Sequence, residues 1–295
     1  MSDPGPSPTS VPTAPATASD PDEPFQTEGY LHGFDPTEQE RLFSQARFLE
    51  DRVFAGFDFS HCRHLLEVGC GVGAQTEILL RRFPKARITA VDLSAAQLAR
   101  ARSHFAARPE DAARVRFVQA DAVRLPDLAS DAPDGAYLCW VLEHAADPLA
   151  LLRELRSKLA PGGLVCIAEV FNHTLHLEPR IPVLERYWQA YNTLQTELGG
   201  SPNVGVRLGS LLAEAGFHDI QAWPNPLHYD RRASDARRAM LDYWLPLLLS
   251  GAPALLNAGR ITPTDAEELE RGLKKARESD DTIFYYSFMK AVARA

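Results

Sequence analysis

Residues 64–73 read HLLEVGCGVG, a mostly apolar run that ends in three glycines at alternate positions, Gly69, Gly71 and Gly73. The apolar run predicts a short buried strand, and the spacing of apolar residues over 76–83 predicts a helix. Glycines between a strand and a helix allow a sharp turn and let a ligand approach the backbone without obstruction by Cβ atoms. This stretch therefore predicts a strand–loop–helix unit with a ligand site at the loop.

The alternation of strands and helices continues after this unit. Strand patterns occupy residues 86–93, 114–121, 135–142, 162–170 and 217–223, with helical patterns at 94–107 and 148–160. Apolar strands that alternate with helices predict an α/β fold in which helices cover both faces of a mostly parallel sheet. A last strand is predicted at 283–294.

Composition and pattern divide the chain into five segments. Residues 1–24 hold seven of the 22 prolines and almost no large apolar side chain, so this tail is predicted to be disordered. The other predicted segments are a helical N-terminal cap (25–60), a ligand-binding core (61–170), a lid insertion (171–205) and the rest of the core (206–295), which contains a helical insertion at 224–282.

The net charge of −8 disfavours partners with a phosphate backbone or an anionic surface. The four cysteines have neither CxxC spacing nor clustered histidines, so no metal site is predicted. No apolar run long enough to cross a membrane is evident, and the first residues do not resemble a signal peptide. We therefore expect a cytoplasmic protein whose partner is a small molecule rather than nucleic acid or membrane; the oligomeric state stays open.

Carboxylates occur at the ends of three successive predicted strands. Glu67 precedes the glycines, Asp92 ends the second strand and Asp121 ends the third. Ligands of open α/β sheets bind outside the carboxyl ends of the strands, where a carboxylate such as Asp92 can accept both ribose hydroxyls. A dinucleotide would place its pyrophosphate beside Glu67, and the loop has GxGxG spacing rather than GxGxxG. A cationic, phosphate-free nucleoside fits this charge better.

The runs EVGCGVG (67–73), VDLS (91–94), QADA (119–122) and LAPGGLV (159–165) occur in this order. Their order resembles the motifs of class I S-adenosylmethionine-dependent methyltransferases, in particular the branch that modifies quinones and other small metabolites. The resemblance covers residues 30–222 and the final strand. It implies a Rossmann-like, doubly wound sheet of seven strands whose last strand is antiparallel, with S-adenosyl-L-methionine as the cofactor.

The resemblance also implies a place for each cofactor contact. The glycines 69, 71 and 73 would line the methionine part, with Cys139 and Trp140 flanking it. Asp92 would hold the ribose, and the adenine would lie near Leu93, Gln97, Asp121 and Ala122. The N-terminal cap would close the site through Tyr30, Arg41 and Gln45. Each side chain also has a plainer interpretation, such as a turn, a helix cap or a surface pair.

Methyl transfer is an in-line displacement in which positioning and exclusion of water supply much of the acceleration. A hydroxyl or ammonium nucleophile also has to lose a proton, and His144 is the candidate general base, although a capping or packing role is equally open. Aromatic residues are concentrated after residue 170, where they predict either an apolar acceptor site or a small core of the insertions.

Two other functions remain open at this level. An NAD-dependent oxidoreductase uses the same kind of sheet, but Glu67 and the glycine spacing oppose it. A binding protein that retains the cofactor fold without catalysis is the other alternative, and the intact glycines and carboxylates oppose it. The favoured hypothesis is methyl transfer to a small, apolar or aromatic acceptor.

Overall fold

The computed structural model of the protein describes residues 31–33 and 35–295. Five parallel strands form the centre of its sheet, and β1 is buried along its whole length because it lies between two neighbours and under helices. Within the described residues the sheet consists of β1 His64–Val68, β2 Arg87–Asp92, β3 Val115–Gln119, β4 Gly135–Cys139, β5 Leu164–Glu169, β6 His176–Glu178, β7 His218–Tyr229 and β8 Ile283–Arg294.

The strand order is β3-β2-β1-β4-β5-β8, with β7 along the other edge of β8. The last strand, β8, runs antiparallel to β5, β6 and β7. The predicted α/β, doubly wound architecture with an antiparallel last strand is confirmed. One detail differs: the three-residue strand β6 pairs with the start of β8, so the described chain has eight strands rather than seven.

Helices cover both faces of the sheet, as predicted. They are α1 Pro36–Phe54, α2 Ala74–Arg82, α3 Ala95–Ala106, α4 Pro109–Ala112, α5 Pro148–Lys158, α6 Pro182–Glu197, α7 Leu208–Glu214, α8 Ser234–Ser250, α9 Ala252–Asn257 and α10 Pro263–Glu278. One buried cluster contains side chains of α1, α2, α3, α6, α8 and α10, and a second contains those of α5 and α7. The two clusters are the cores on the two sides of the sheet.

Helix α1 is held at both ends. The Asp35 carboxylate accepts hydrogen bonds from the N–H groups of Thr37 and Glu38 and thereby caps the N-terminus of the helix. At the other end the buried Lys290 ammonium of β8 donates to the carbonyls of Arg52 and Ala55. These contacts attach α1 to the sheet.

Strand β7 is longer than the sequence pattern indicates. It continues through Pro224 and Pro226 to Tyr229, a region that the sequence analysis gave to the helical insertion. Proline has no N–H to donate to a neighbouring strand. Strand β7 tolerates its two prolines because it is an edge strand, which within the described residues pairs with β8 alone. The first α-helix of this insertion begins at Ser234, directly after a 3-10 turn at Arg231–Ala233.

The stretch Arg231–Asn257 has the length and mean hydropathy (1.3) of a membrane span, contrary to the expectation that no such run exists. In this structure 39% of the relevant window is buried. Met240, Leu241, Trp244 and Leu248 of α8 belong to the main core cluster. Much of the apolar character of α8 thus serves packing inside the protein.

Candidate cofactor and acceptor site

The three glycines of the loop between β1 and α2 all have left-handed backbone angles, with φ of +72° at Gly69, +52° at Gly71 and +81° at Gly73. A Cβ atom at Gly69 would lie 2.5 Å from Val141 Cγ2, and one at Gly73 would lie 3.0 Å from Phe105 Cε2. A Cβ at Gly71 would meet nothing within 4 Å. The loop therefore packs tightly against protein at two glycines and presents bare backbone to open space at the third.

Asp92 shapes this loop. Its Oδ2 accepts a hydrogen bond from Gly71 N–H at 2.7 Å, and its Oδ1 accepts one from Ser94 N–H at 2.8 Å. Each carboxylate oxygen has a second acceptor position, so Asp92 can still accept two ribose hydroxyls. Burial raises the pKa of Asp92 above its usual value, and the backbone hydrogen bonds oppose that shift.

Glu67 does not lie where the sequence argument placed it. Its side chain is 2% exposed, does not line the cavity, and accepts a hydrogen bond from the Thr76 hydroxyl at 2.6 Å. The cause is the burial of β1 on both faces, which turns this side chain inward under α2. Burial also raises the pKa of Glu67 to about 8, so the carboxyl is largely neutral at pH 7. Of the three carboxylates predicted near strand ends, Asp92 and Asp121 line the cavity and Glu67 does not.

A single cavity of about 680 Å³ brings the predicted residues together. Its volume is within the range of small-molecule sites. Gly73 and Glu67 lie outside its lining, and Tyr30 lies outside the described residues. The predicted site residues that line it are Arg41, Gln45, Gly69, Gly71, Asp92, Leu93, Gln97, Asp121, Ala122, Cys139, Trp140 and His144.

Arg41 and Gln45 reach the cavity from α1. The Arg41 guanidinium makes two hydrogen bonds to the buried Glu38 carboxylate, at 2.7 and 2.6 Å, and a third to the Gln45 side chain. Among the described residues Arg41 is the one arginine or lysine that lines the cavity. Because Glu38 balances its charge, this wall is close to neutral.

His144 lines the same cavity, and its Nε2 lies 3.7 Å from Glu143 Oε1. The buried Glu169 carboxylate, at the end of β5, accepts hydrogen bonds from the N–H groups of Val141 and Leu142 at 2.7 and 2.6 Å. It thereby fixes the segment that carries His144. Burial and the nearby Glu143 carboxylate raise the pKa of Glu169 to about 8. Glu169 was not among the residues predicted from the sequence, although a carboxylate at the end of an apolar strand is a detectable signal of a polar site.

The remaining walls of the cavity are aromatic. Part of the aromatic set from the insertions faces it, and part is core: Tyr187 is buried outside the lining, and Trp223 packs against Phe57. His173 and the arginines at 180, 207, 231 and 232 also lie outside the lining. The aromatic residues of α6, α8 and β8 in the lining are Trp188, Tyr191, Tyr243, Trp244, Tyr286 and Phe288.

Asn172 joins these walls. Its side chain accepts from the Tyr286 hydroxyl at 3.1 Å and donates to Asn192 at 2.9 Å, and its carbonyl accepts from Trp188 Nε1 at 2.8 Å. Asn172 lines the cavity and is 3% exposed. Its hydrogen bonds hold the rings of α6 and β8 in place, which is a scaffolding contribution to the wall.

Comparisons with known proteins agree with this geometry. Residues 66–167 match the family model described as a methyltransferase domain. A trans-aconitate 2-methyltransferase of Paracidovorax citrulli is 33% identical over 46% of this chain and 50% of its own. An O-methyltransferase, cnsE, of Penicillium expansum is 33% identical over 65% of this chain and 66% of its own. The chain thus spans about half to two thirds of the length of these relatives.

Two solved structures have the same fold. The phosphoethanolamine N-methyltransferase 2 of Haemonchus contortus, in complex with S-adenosyl-L-methionine, has a TM-score of 0.53 at 16% identity, over 95% of this chain and 60% of its own. The mitomycin 7-O-methyltransferase MmcR has a TM-score of 0.50 at 21% identity, over 66% of this chain and 56% of its own. The chain carries a class I S-adenosylmethionine-dependent methyltransferase domain, and S-adenosylmethionine is the cofactor of that class. No comparison favours the oxidoreductase alternative.

Proposed function

We propose that this protein transfers the methyl group of S-adenosylmethionine to a small, neutral, aromatic or apolar acceptor. The observation that carries this proposal is the continuity of one cavity, which runs from the glycine loop and Asp92 to the rings of α6, α8 and β8. The open space at Gly71 fits a cofactor that lies directly on the backbone. A second, acidic candidate acceptor is suggested by the name of the trans-aconitate relatives alone.

The chain's own residues divide the work. Asp92 would hold the ribose of the cofactor, and Asp121, Ala122, Leu93 and Gln97 would surround its adenine. The backbone of Gly69 and Gly71 and the side chains of Cys139 and Trp140 would hold the methionine part. The cofactor supplies a methyl group on a sulfonium, which is a good leaving group. Arg41 and Gln45 of α1 cover the site and exclude water.

The charge of the lining favours a neutral acceptor. A polycarboxylate needs cationic partners, because an unpaired charge is costly to bury. The one arginine that lines the described cavity, Arg41, is already paired with the buried Glu38. Aromatic walls offer instead a large apolar area and ring stacking, worth about 0.5–1.5 kcal/mol for each ring pair.

The test is a panel of acceptors incubated with the protein and S-adenosylmethionine, with products followed by mass spectrometry. One set contains hydroxylated naphthalenes and quinones, and the other contains trans-aconitate and similar polycarboxylates. We expect methylated products in the first set. Methyl esters of the polycarboxylates alone, or no product in either set, would overturn the proposal.

A matched pair of variants tests the aromatic wall. Trp188 lines the cavity and stacks on Tyr191 with ring centroids 5.0 Å apart. Trp223 packs against Phe57 outside the lining. We expect Trp188→Leu to raise the KM for the acceptor about tenfold, or about 1.4 kcal/mol, while Trp223→Leu leaves it unchanged. Equal effects of the two variants on KM would contradict an acceptor site at this wall.

The absence of nucleic-acid and membrane partners and the cytoplasmic location are inferences from composition, and both stay predictions. The five-segment division of the chain likewise stays a prediction.

A further inference from the structure

A chain of hydrogen-bonded polar groups enters the aromatic part of the cavity. Tyr191 of α6 has its hydroxyl 2.8 Å from His32 Nε2, and His32 Nδ1 lies 2.6 Å from the Ser250 hydroxyl at the end of α8. Tyr191 and His32 both line the cavity. Three separate parts of the chain thus meet here. Tyr191 belongs to the aromatic set concentrated after residue 170, but His32 and Ser250 were not singled out from the sequence.

The proton positions in this chain follow from Ser250. Its hydroxyl donates to the Leu247 carbonyl at 2.8 Å, and a hydroxyl has one proton to give. Ser250 therefore accepts from His32, which places the imidazole proton on Nδ1 and leaves Nε2 as an acceptor. Tyr191 then donates its proton to His32 Nε2. The hydrogen bonds therefore all donate in one direction, away from the cavity: Tyr191 donates to His32, and His32 donates to Ser250.

The surroundings keep the resting imidazole of His32 neutral, so that Nε2 carries a lone pair. Burial lowers the pKa of His32 well below its usual value, and the charge of Arg41 on α1 and the nearby His144 lower it further. Tyr191 and Ser250 contact it from α6 and α8. The resting imidazole is therefore neutral. Tyr191 lines the cavity, so a ligand hydroxyl can approach its phenol oxygen there.

We propose that the Tyr191–His32–Ser250 chain accepts the proton of an acceptor hydroxyl, so that the acceptor is a phenol or enol that is methylated on oxygen. This inference rests on the proposed function and adds the nucleophile and its proton acceptor. An aliphatic alcohol is much less acidic than tyrosine. A phenol or enol has a pKa near the value of about 10 of tyrosine itself, so the acceptor and the Tyr191 oxygen exchange a proton at little cost. The uphill part is the proton transfer from Tyr191 to His32, whose pKa is lowered by burial, and loss of the sulfonium charge from the same cavity offsets it.

The atoms and charges of this step balance. The acceptor O–H bond breaks and a new O–CH₃ bond forms as the bond from the methyl carbon to sulfur breaks. The acceptor proton moves to the Tyr191 oxygen, and the Tyr191 proton moves to His32 Nε2. The sulfonium charge is lost and an imidazolium charge is gained, so the total charge inside the cavity stays the same. Proton return from His32 to water completes the cycle.

Tyr187 provides a matched control on the same helix. Its hydroxyl donates to the Leu248 carbonyl of α8, so it also joins α6 to α8, but it lies outside the cavity lining. The probes are 1-naphthol and 2,4-dinitro-1-naphthol, which is already ionised at neutral pH and has no proton to lose. We expect Tyr191→Phe and His32→Gln to lower kcat for 1-naphthol about 100-fold but to change kcat for the dinitro compound by less than about threefold.

Tyr187→Phe should affect both probes equally and weakly. A loss of the same size on both probes in Tyr191→Phe would indicate a structural role and overturn the inference. A probe-dependent loss in His144→Ala instead of Tyr191→Phe would assign the proton to His144 and also overturn it. If the wild-type protein methylates no compound of the panel, the proposed function itself fails. If it methylates naphthols and Tyr191→Phe loses activity equally on both probes, only the present inference fails, so the two failures are distinguishable.

A binding measurement gives a readout that does not depend on turnover. With S-adenosylhomocysteine present, the absorption spectrum of bound 4-nitro-1-naphthol reports its ionised fraction. We expect wild-type protein to bind more of the ionised form than Tyr191→Phe at the same pH, with Tyr187→Phe like wild type. Equal ionised fractions in wild type and Tyr191→Phe would refute proton acceptance by this chain.

Discussion

Replacement of single loop glycines by alanine should separate stability from cofactor binding. At Gly71 the added methyl group meets no protein atom within 4 Å, so the cost is that of alanine at a left-handed φ of +52°, about 1–2 kcal/mol. At Gly69 the same backbone cost applies, and the Cβ would also lie 2.5 Å from Val141 Cγ2. Overpacking of this kind adds about 1–3 kcal/mol.

We therefore expect Gly69→Ala to lower the free energy of unfolding by about 2–5 kcal/mol and Gly71→Ala by only about 1–2 kcal/mol. The order for binding is reversed. The methyl group added at residue 71 enters the space proposed for the cofactor. The Kd of Gly71→Ala for S-adenosylhomocysteine should therefore rise at least about tenfold, which is about 1.4 kcal/mol. Urea denaturation followed by tryptophan fluorescence measures the first quantity, and titration calorimetry measures the second.

Gly162 supplies the control for the backbone cost. It has a φ of +75° with nothing within 4 Å of its added Cβ, and it lies outside the cavity lining. Gly162→Ala should lose the same 1–2 kcal/mol as Gly71→Ala and keep wild-type affinity. Wild-type affinity in Gly71→Ala as well would refute the loop as the cofactor site. A Gly71→Ala protein less stable than Gly69→Ala would refute the packing argument.

Three further outcomes are expected. Asp92→Ala should weaken S-adenosylhomocysteine binding by about 1–3 kcal/mol in calorimetry, because ribose hydroxyls and two loop N–H groups lose their acceptor; unchanged affinity would exclude the ribose assignment. Since burial raises the Glu67 pKa from 4.5 to about 8, unfolding releases its proton above pH 4.5, and stability falls as the pH rises from 4.5 to 8. Glu67→Gln should remove about 4–5 kcal/mol of that fall in denaturation curves across this range, and an unaltered pH profile would speak against a neutral Glu67. Gln39→Ala removes the 3.1 Å hydrogen bond to Gln97 between α1 and α3, so stopped-flow release of the cofactor product should be a few times faster at nearly unchanged stability; an identical release rate would mean that this contact does not hold α1 closed.

The half of the cavity proposed for the cofactor was predictable because its signals are local. Gly69, Gly71 and Asp92 are close to strand ends, and the topology of a parallel sheet brings all strand ends to one edge. Glu67 shows the limit of that argument. It belongs to the same motif, yet a strand buried on both faces turns this side chain into the interior, and the sequence pattern does not say which way it points.

The acceptor half depended on contacts that are far apart in the sequence. His32 and Ser250 are separated by 218 residues, and the aromatic residues of α6 and α8 could equally have formed a core of their own. Trp188 and Trp223 have the same residue type and lie in the same half of the chain, but one faces the cavity and the other packs against Phe57. Residue type alone does not distinguish them.

The sequence by itself determined the doubly wound sheet, the glycine loop proposed for the cofactor and the class of the domain, because strand and helix periodicity and glycine spacing are properties of short segments. The tertiary structure alone decided that Glu67 is buried, that Glu38 balances Arg41, and which aromatic rings line the cavity. These are consequences of how distant helices dock on the sheet, and docking fixes burial, charge pairing and side-chain direction only when the whole chain has folded.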